Sequence, residues 1–181
     1  MPASTFLISC NPISMADTSS QAYIFATRDP SAKPMADRIH SMVFLATPHR
    51  GADIASILSN MLKASVLYGE KPFVTDLERN SIAISSINEE FRHYAHNLQL
   101  FSFYETLKTS LGVTSSLIVN KDSAILGYSN ERNALLYATH RSICKFESNL
   151  DPNYISLRNS LVNLIKSSFQ QSRGFFLGMY N

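Results

Sequence analysis

The side chains that could carry proton transfer in this chain fall in three short regions. These are FLATPHRG (residues 44–51), FSFYET (101–106), and IVNKDSA (118–124) together with ATHRSICK (138–145). They contain the histidines His49 and His140 and the carboxylates Glu105 and Asp122. A histidine base oriented by a carboxylate is the pair that general-base catalysis uses. The sequence therefore offers acid–base chemistry, provided that the fold brings one histidine and one carboxylate together.

Other kinds of site find little support in the sequence. His93 and His96 stand three residues apart, a spacing that a metal could use, but we interpret them as the solvated face of an amphipathic helix. Cys10 and Cys144 lie far apart, so we expect neither a zinc site nor a disulfide framework, and interpret Cys144 as a small buried hydrophobe. The phosphate-binding pattern G-x-x-x-x-G-K-[ST] does not occur. We predict no metal and no cofactor.

The composition is that of one globular domain. The chain has 181 residues, of which 17% are charged, whereas soluble domains have about 25%. The net charge is +2 without a basic run, which argues against binding of nucleic acid. No apolar run approaches the roughly 18 residues of a membrane-spanning helix, and the first residues lack the basic start of a signal peptide. We therefore expect a cytoplasmic protein in a reducing compartment.

Strand-like and helix-like patterns alternate along the chain. Short continuous apolar runs predict strands that are buried on both faces, as in parallel sheets. Such runs cover residues 42–46, 98–104 and 116–119. Apolar residues at a 3.6-residue period predict helices at 53–63, 77–94 and 152–169, and residues 21–28 are a short helix-compatible stretch that stops before Asp29 and Pro30. Asp151 and Pro152 have the residue types of a helix cap and a first helical position. The alternation predicts an α/β fold with a parallel sheet and flanking helices.

In these segments the chain resembles a known family. The motifs ATPHRG, SFYETL, VNKDSAILGYSNE and HRSICKF followed by DPNY are similar, in order and spacing, to those of the serine-active-site lipase-like α/β-hydrolases. The resemblance covers about residues 21–168, and is greatest to the lipase-like domains that precede NACHT modules in fungal NOD-like receptors. It implies a partial α/β-hydrolase fold, with the C-terminal parallel strands and their flanking helices present and the first strands missing.

The resemblance also implies roles for the candidate residues. His140, in the loop after the last strand, would be the base of a catalytic triad. Glu105, at the end of a strand, would be the acid that orients it. Asp122 is the alternative acid, although the adjacent Lys121 could simply pair with it. An acid that precedes the histidine in the chain follows the order of α/β-hydrolases.

The strand end after residue 46 offers a second set of candidates. Thr47, His49 and Arg50 would line the site, because open parallel sheets form their sites beyond the carboxyl ends of strands. The alternative is a structural turn that Pro48 and Gly51 fix, in which Arg50 bonds to backbone carbonyls. We favour this structural interpretation for His49 and Arg50.

The nucleophile of such an enzyme is missing from the sequence. A nucleophile elbow reads G-x-S-x-G, because small residues must flank its strained turn. The glycines, at positions 51, 69, 112, 127, 174 and 178, bracket no serine at that spacing, and no His-Gly oxyanion motif occurs. We therefore predict no nucleophile. Residues 1–20 would be an irregular tail, either an artefact of gene prediction or the start of a chain that has lost catalysis. Residues 21–169 would be the C-terminal half of the hydrolase domain, and 170–181 an apolar tail.

Three hypotheses about function follow. The first is a truncated lipase-like or esterase-like domain, inactive for lack of the elbow, which would act on an ester or lipid substrate only if missing strands completed it. The second is an interaction or regulatory module of the NOD-like receptor type. It would bind a protein partner or a second copy of itself through an exposed sheet edge. The third is a non-functional fragment.

Overall fold

A four-stranded parallel sheet organises the chain. The computed structural model describes residues 5–9, 18–50, 54–68 and 77–178. The strands of this sheet are β1 Thr5–Ser9, β2 Ile39–Leu45, β3 Gln99–Glu105 and β6 Glu131–Leu136. They lie in the order β1-β2-β3-β6, and each neighbouring pair is parallel. The predicted α/β class with a parallel sheet is confirmed.

Helices flank this sheet. They are α1 Thr18–Arg28, α2 Lys33–Ala36, α3 Ile54–Leu67, α4 Leu77–Tyr94, α5 Lys121–Ala124 and α6 Pro152–Gly178, with a 3-10 turn at Ala95–Asn97. The four predicted helices are all present. The predicted cap of α6 is also confirmed, since the Asn153 amide donates to Asp151 Oδ1 at 2.8 Å. α6 extends to Gly178, so most of the predicted apolar tail at 170–181 is helical.

Strand β2 shows why a continuous apolar run belongs in this sheet. Val43 and Leu45 are buried in one apolar cluster, which includes side chains of α3 and α6. Met42 and Phe44 are buried in a second cluster, which includes side chains of α1 and α4. Successive residues of a strand point to opposite faces. Because each face of β2 meets an apolar layer between Met42 and Leu45, all four of these positions have to be apolar.

The connection from β3 to β6 differs from the prediction. The predicted strand at 116–119 is wrong beyond its first residue. Only Ser115–Ser116 pairs, as strand β5, with β4 Thr109–Ser110 in a small antiparallel ladder. The amides of Ile118 and Val119 donate to the buried side chain of Glu105 and not to a neighbouring strand. The short helix α5 follows and is capped by Asn120, whose side chain accepts from the Ser123 amide at 2.9 Å.

Two strands of the sheet were not predicted. Residues 5–9, placed in an irregular tail, form β1 beside β2, and α1 begins at Thr18, also within that tail. The connection between them, residues 10–17, lies outside the described residues. β6 escaped prediction because Arg132, Asn133 and Leu135 are exposed, so this edge strand has no continuous apolar run.

Two further observations concern the setting of the domain. In the described ranges, no helix has the length and apolarity that a bilayer span requires. Cys144 is disulfide-bonded, contrary to the expectation of unpaired cysteines, while Cys10 lies outside the described residues. Disulfides are typical of oxidising compartments, so the disulfide does not support the predicted cytoplasmic location, which stays a prediction.

Candidate functional site

A buried carboxylate and a buried imidazole meet at the carboxyl edge of the sheet. His140 Nδ1 lies 2.9 Å from Glu105 Oε2. The two side chains are almost wholly enclosed, with 4% of His140 and 1% of Glu105 exposed. A carboxylate can only accept, so Nδ1 carries the proton of this bond and Nε2 is the remaining ring nitrogen. The arrangement is that of an imidazole held in one tautomer by an acid.

The two strands at the end of the sheet bring this pair together. Glu105 is the last residue of β3 and is in register with Leu136, the last residue of β6. Past the strand ends, the amides of Thr106 and Leu107 both donate to the carbonyl of Ala138, at 3.3 and 3.0 Å. The chain after β6 is therefore tied to the chain after β3, and His140 follows only two residues later.

A turn then fixes the backbone around the histidine. The hydroxyl of Ser142 accepts from the Thr139 amide at 3.0 Å, and the Ser142 amide donates to the Thr139 carbonyl at 3.0 Å. Ile143, 2% exposed, anchors the end of this turn in the apolar core. These contacts limit how far His140 can move relative to Glu105.

The second oxygen of Glu105 holds the backbone of the β3–β6 connection. Oε1 accepts from the Ile118 amide at 2.5 Å and from the Val119 amide at 2.9 Å. Buried amides without a neighbouring strand need such an acceptor, because an unmet buried donor costs about 1–3 kcal/mol. The same two contacts leave Oε2 to the imidazole. Ile118 and Val119 were read as strand residues, and no sequence signal marked their amides as donors to Glu105.

The alternative acid, Asp122, has a different position. It lies in the first turn of α5 and is exposed, and its backbone carbonyl accepts from Arg50 Nε at 3.2 Å. Its neighbour Lys121 lies over the ring of Tyr104, with Nζ 5.4 Å from the centroid, in a cation–π contact. Of the two candidate acids, Glu105 is therefore the one bonded to His140.

Thr47 and His49 follow β2 and are both buried. The Thr47 side chain is 5% exposed, and within the described residues its hydroxyl makes no hydrogen bond. The ring of His49 packs edge-to-face on Phe44, with centroids 4.5 Å apart. The amide of His49 donates to the Ser123 carbonyl at 2.8 Å, and its carbonyl accepts from the Asn88 side chain. These contacts tie the end of β2 to α4 and α5.

Arg50 extends this junction to the loop after α5. Besides the bond to the Asp122 carbonyl, its guanidinium lies against Gly127, where a β-carbon would stand 2.5 Å from Nη1. Gly127 has a φ of +78°, a conformation that glycine adopts most easily. Arg50 thus joins the end of β2 to the backbone of α5 and of the loop after it, and its structural interpretation stays a prediction.

The chain enters this junction through a strained residue. Ala46, directly after β2, has a φ of +47° and is completely buried. Its amide donates to the Phe103 carbonyl at 2.8 Å, which continues the pairing of β2 with β3. A left-handed alanine costs roughly 1–2 kcal/mol. The contacts of the His49 backbone with Ser123 and Asn88 hold the turn in place.

Two further predictions from the sequence concern the pair His93 and His96 and the lack of a nucleophile. His93 is exposed in the last turn of α4 and His96 in the 3-10 turn that follows, and His96 Nδ1 lies 3.0 Å from the His93 carbonyl. Within the residues that the structure describes, no three metal-ligating side chains are grouped. Since residues 10–17, between β1 and α1, lie outside those residues, the predicted lack of a nucleophile stays a prediction.

Comparisons with family models, curated proteins and solved structures find no match to this chain. The geometry of Glu105 and His140 and the sequence motifs around them are therefore the basis for a functional interpretation.

Proposed function

We propose that Glu105 and His140 are the acid and the base of a serine ester hydrolase site of the lipase-like α/β-hydrolase type. The observation that carries the proposal is the 2.9 Å contact between His140 Nδ1 and Glu105 Oε2, made by two buried groups. We further propose that the 181-residue chain turns over no ester by itself, because its sequence contains no G-x-S-x-G elbow.

The order of the strands supports this proposal. The acid ends the third strand of the sheet and the histidine follows the fourth, so both stand at the carboxyl edge, where open α/β sheets form their sites. The acid also precedes the histidine in the chain, as in α/β-hydrolases. β1 and α1 precede β2 in the chain, and a nucleophile elbow would join a strand to a helix in this way.

Each residue would have a defined part in the reaction. The Nε2 atom of His140 would take the proton of a serine hydroxyl as the oxygen attacks an ester carbonyl, and would return it to the departing alcohol. A water molecule would then release the acid from the acyl-serine in a second cycle. Glu105 would keep the proton on Nδ1 and stabilise the imidazolium that forms. Ile118 and Val119 would hold Glu105 in place through their amides.

The proposed pair can be tested by the tautomer of the imidazole. Nitrogen NMR of the chain labelled at histidine should show the neutral ring of His140 protonated on Nδ1, and a substitution Glu105→Gln should shift that signal. His93→Ala, at an exposed histidine, identifies a signal that must not respond. A neutral His140 protonated on Nε2 would contradict the pair.

A short-chain p-nitrophenyl ester tests the proposed lack of turnover. The purified chain should hydrolyse it no faster than the background, and His140→Ala should leave the rate unchanged. His93→Ala controls for the weak hydrolysis that any free imidazole gives. Turnover that disappears in His140→Ala and persists in His93→Ala would show that the chain supplies a nucleophile, and would overturn this part of the proposal.

The second candidate function is an interaction module. β1 lies at one end of the sheet and, among the described residues, only β2 pairs with it. Ile8 in this strand is 50% exposed. An unpaired strand edge is a template for pairing with another chain, so we propose self-association through β1 as the alternative. Light scattering after size exclusion should then show a dimer or larger species, and a folded monomer at all concentrations would argue against it.

A further inference from the structure

The outer edge of β6 presents backbone groups that no described strand pairs with. β6 lies at one end of the sheet, and among the described strands only β3 pairs with it. The register places the backbone groups of its even-numbered residues on the β3 side, in line with the bond from the Leu100 amide to the Asn130 carbonyl. Successive residues of a strand direct these groups to opposite sides. The N–H and C=O groups of Asn133 and Leu135 therefore face away from β3.

The next outward position, at Tyr137, is filled by a side chain of α6. Asn153 Oδ1 accepts from the Tyr137 amide at 2.8 Å, and Asn153 Nδ2 donates to the Tyr137 carbonyl at 3.0 Å. The Asn153 side chain thus makes the two bonds that a residue of a neighbouring strand would make. A further strand added to this edge could pair with Asn133 and Leu135, and its chain would have to leave the sheet at Tyr137.

An acidic cavity lies at this end of the edge. Its volume is about 430 Å³, and its lining includes Tyr137, Glu147, Leu150, Asp151 and Asn153 but no basic side chain. The Asp151 carboxylate accepts from the backbone amides of Glu147 and Asn153. Glu147 is exposed and forms no ion pair within the described residues. The cavity is therefore complementary to a positively charged side chain.

Apolar side chains connect the open edge to this cavity. Leu135 and Tyr137 lie two residues apart, so they project from the same face of the strand, and they are 54% and 70% exposed. Leu150, in the lining of the cavity, is 77% exposed. Arg132, the basic residue of β6, projects from the opposite face. An added strand could therefore cover Leu135 with an apolar side chain and reach Glu147 with a basic one about two to four residues away.

We propose that the outer edge of β6 and the acidic cavity bind an extended segment of another protein, which carries an apolar residue and a lysine or arginine on one face. Main-chain hydrogen bonds to Asn133 and Leu135 would supply affinity, and the two side chains would select the partner. This site lies at the opposite end of the sheet from β1 and does not depend on ester hydrolysis, so either proposal can fail without the other.

Fluorescence polarisation of labelled octapeptides measures this binding. The probes alternate valine and threonine and end in one lysine, at the N-terminus of one peptide and at the C-terminus of the other, which covers both strand directions. The native chain should bind at least one of them saturably. Replacing its lysine by glutamine should weaken binding about two- to fivefold, the range of a surface ion pair. N-methylation of one alternating set of its amides should weaken binding about tenfold or more, because the donors of the pairing edge are lost.

Matched variants of the chain locate the site. Glu147→Gln should abolish the preference for lysine over glutamine, whereas Glu89→Gln, at an exposed acid of α4, should retain it. Leu135→Ser should weaken the lysine and glutamine peptides alike, about three- to fivefold. Val113→Ser, at another exposed apolar residue, should weaken neither.

Three results would overturn the proposal. The first is that neither lysine peptide binds saturably, and the second is that the variants at Glu147 and Leu135 behave like their controls. The third is a dimer in light scattering that Leu135→Ser abolishes, because the edge would then bind a second copy of this chain.

Discussion

Two glutamates hold loops at opposite edges of the same sheet, and their surroundings differ in burial and in one hydrogen-bond partner. Glu105 ends β3 and accepts from two successive amides, at Ile118 and Val119. Glu131 begins β6 and also accepts from two successive amides, Leu126 at 3.0 Å and Gly127 at 2.6 Å. The third partner of Glu105 is the His140 imidazole, whereas that of Glu131 is the hydroxyl of Ser102, at 2.5 Å.

Glu105 and Glu131 share a structural role, and Glu105 in addition contacts an imidazole. The pairing of a carboxylate with two backbone amides occurs at both edges, so it is a way of fastening a loop that has no neighbouring strand. An imidazole partner occurs at Glu105 only, and an imidazole is the side chain that most often acts as a general base. The carboxyl edge therefore combines a structural fastening with a group that is able to transfer protons, and the amino edge has the fastening alone.

The largest expected effect is the loss of the fully buried carboxylate. Glu105→Ala should lower the free energy of unfolding by about 3 kcal/mol, because two buried amides and an imidazole lose their acceptor together. Glu131→Ala removes the same number of amide contacts from a half-buried position, and should cost about 1–2 kcal/mol. Urea titrations of the native chain and both variants measure the two values. A Glu131→Ala loss equal to or greater than that of Glu105→Ala would mean that burial does not distinguish the two edges.

A second test concerns the loop that Glu131 fastens. Gly127→Ala places a β-carbon at a φ of +78° and 2.5 Å from Arg50 Nη1. We expect a loss of about 2 kcal/mol, of which roughly 1 kcal/mol is the cost of the left-handed backbone. Gly112→Ala is the matched control, since its φ is +91° and no atom lies within 4 Å of the added carbon.

The contribution of Arg50 can then be isolated. In the Arg50→Ala background, Gly127→Ala should cost no more than Gly112→Ala does in the native chain, because the close contact is gone. Thermal unfolding of the native chain, Gly127→Ala, Gly112→Ala, Arg50→Ala and the double variant measures this coupling. An unchanged cost in the double variant would show that Arg50 moves aside freely and that the backbone conformation alone requires glycine.

The smallest effect comes from a buried acid outside both loops. Burial raises the pKa of Tyr23 above its ordinary value of 10.0. The folded chain therefore holds the phenol proton more tightly than the unfolded chain, and stability falls as the pH rises from about 10 through the raised pKa. Urea titrations at about pH 9 and 11 measure this fall in the free energy of unfolding. Tyr23→Phe should make the fall smaller, by less than about 1 kcal/mol. Tyr137→Phe, at a ring that is 70% exposed, should leave the fall unchanged. If Tyr23→Phe also leaves the fall in stability unchanged, the burial of Tyr23 does not contribute to that fall.

The fold could be predicted where burial dictates the residue type. β2 has apolar layers on both faces, so its residues 42–45 are continuously apolar and indicate a buried parallel strand. β6 is an edge strand with exposed side chains, so its sequence has no continuous apolar run that would predict it. The strand predicted at residues 116–119 was wrong for the opposite reason. Their apolar side chains suggested a strand, but two of their amides bond to Glu105, and a hydrogen bond from a distant carboxylate cannot be read from local composition.

The sequence predicted the residue types of the candidate site better than it predicted the contacts between them. The motif resemblance proposed His140 and left Glu105 and Asp122 open as the acid. The register of β3 with β6 decides which carboxylate meets the imidazole, and register depends on pairings across the whole sheet. The contact of the Arg141 guanidinium with the Tyr68 ring joins distant parts of the chain, and neither residue stands in a pattern that would have indicated it.

The parallel pairing of the sheet has a consequence for how the chain folds. None of the pairs β1–β2, β2–β3 and β3–β6 can start from a tight hairpin, because parallel partners are joined by long crossovers. The longest of these, between β2 and β3, contains α3 and α4. Its closure carries the greatest entropic penalty, so the kinetics of assembly should be slow and governed by the meeting of these two central strands.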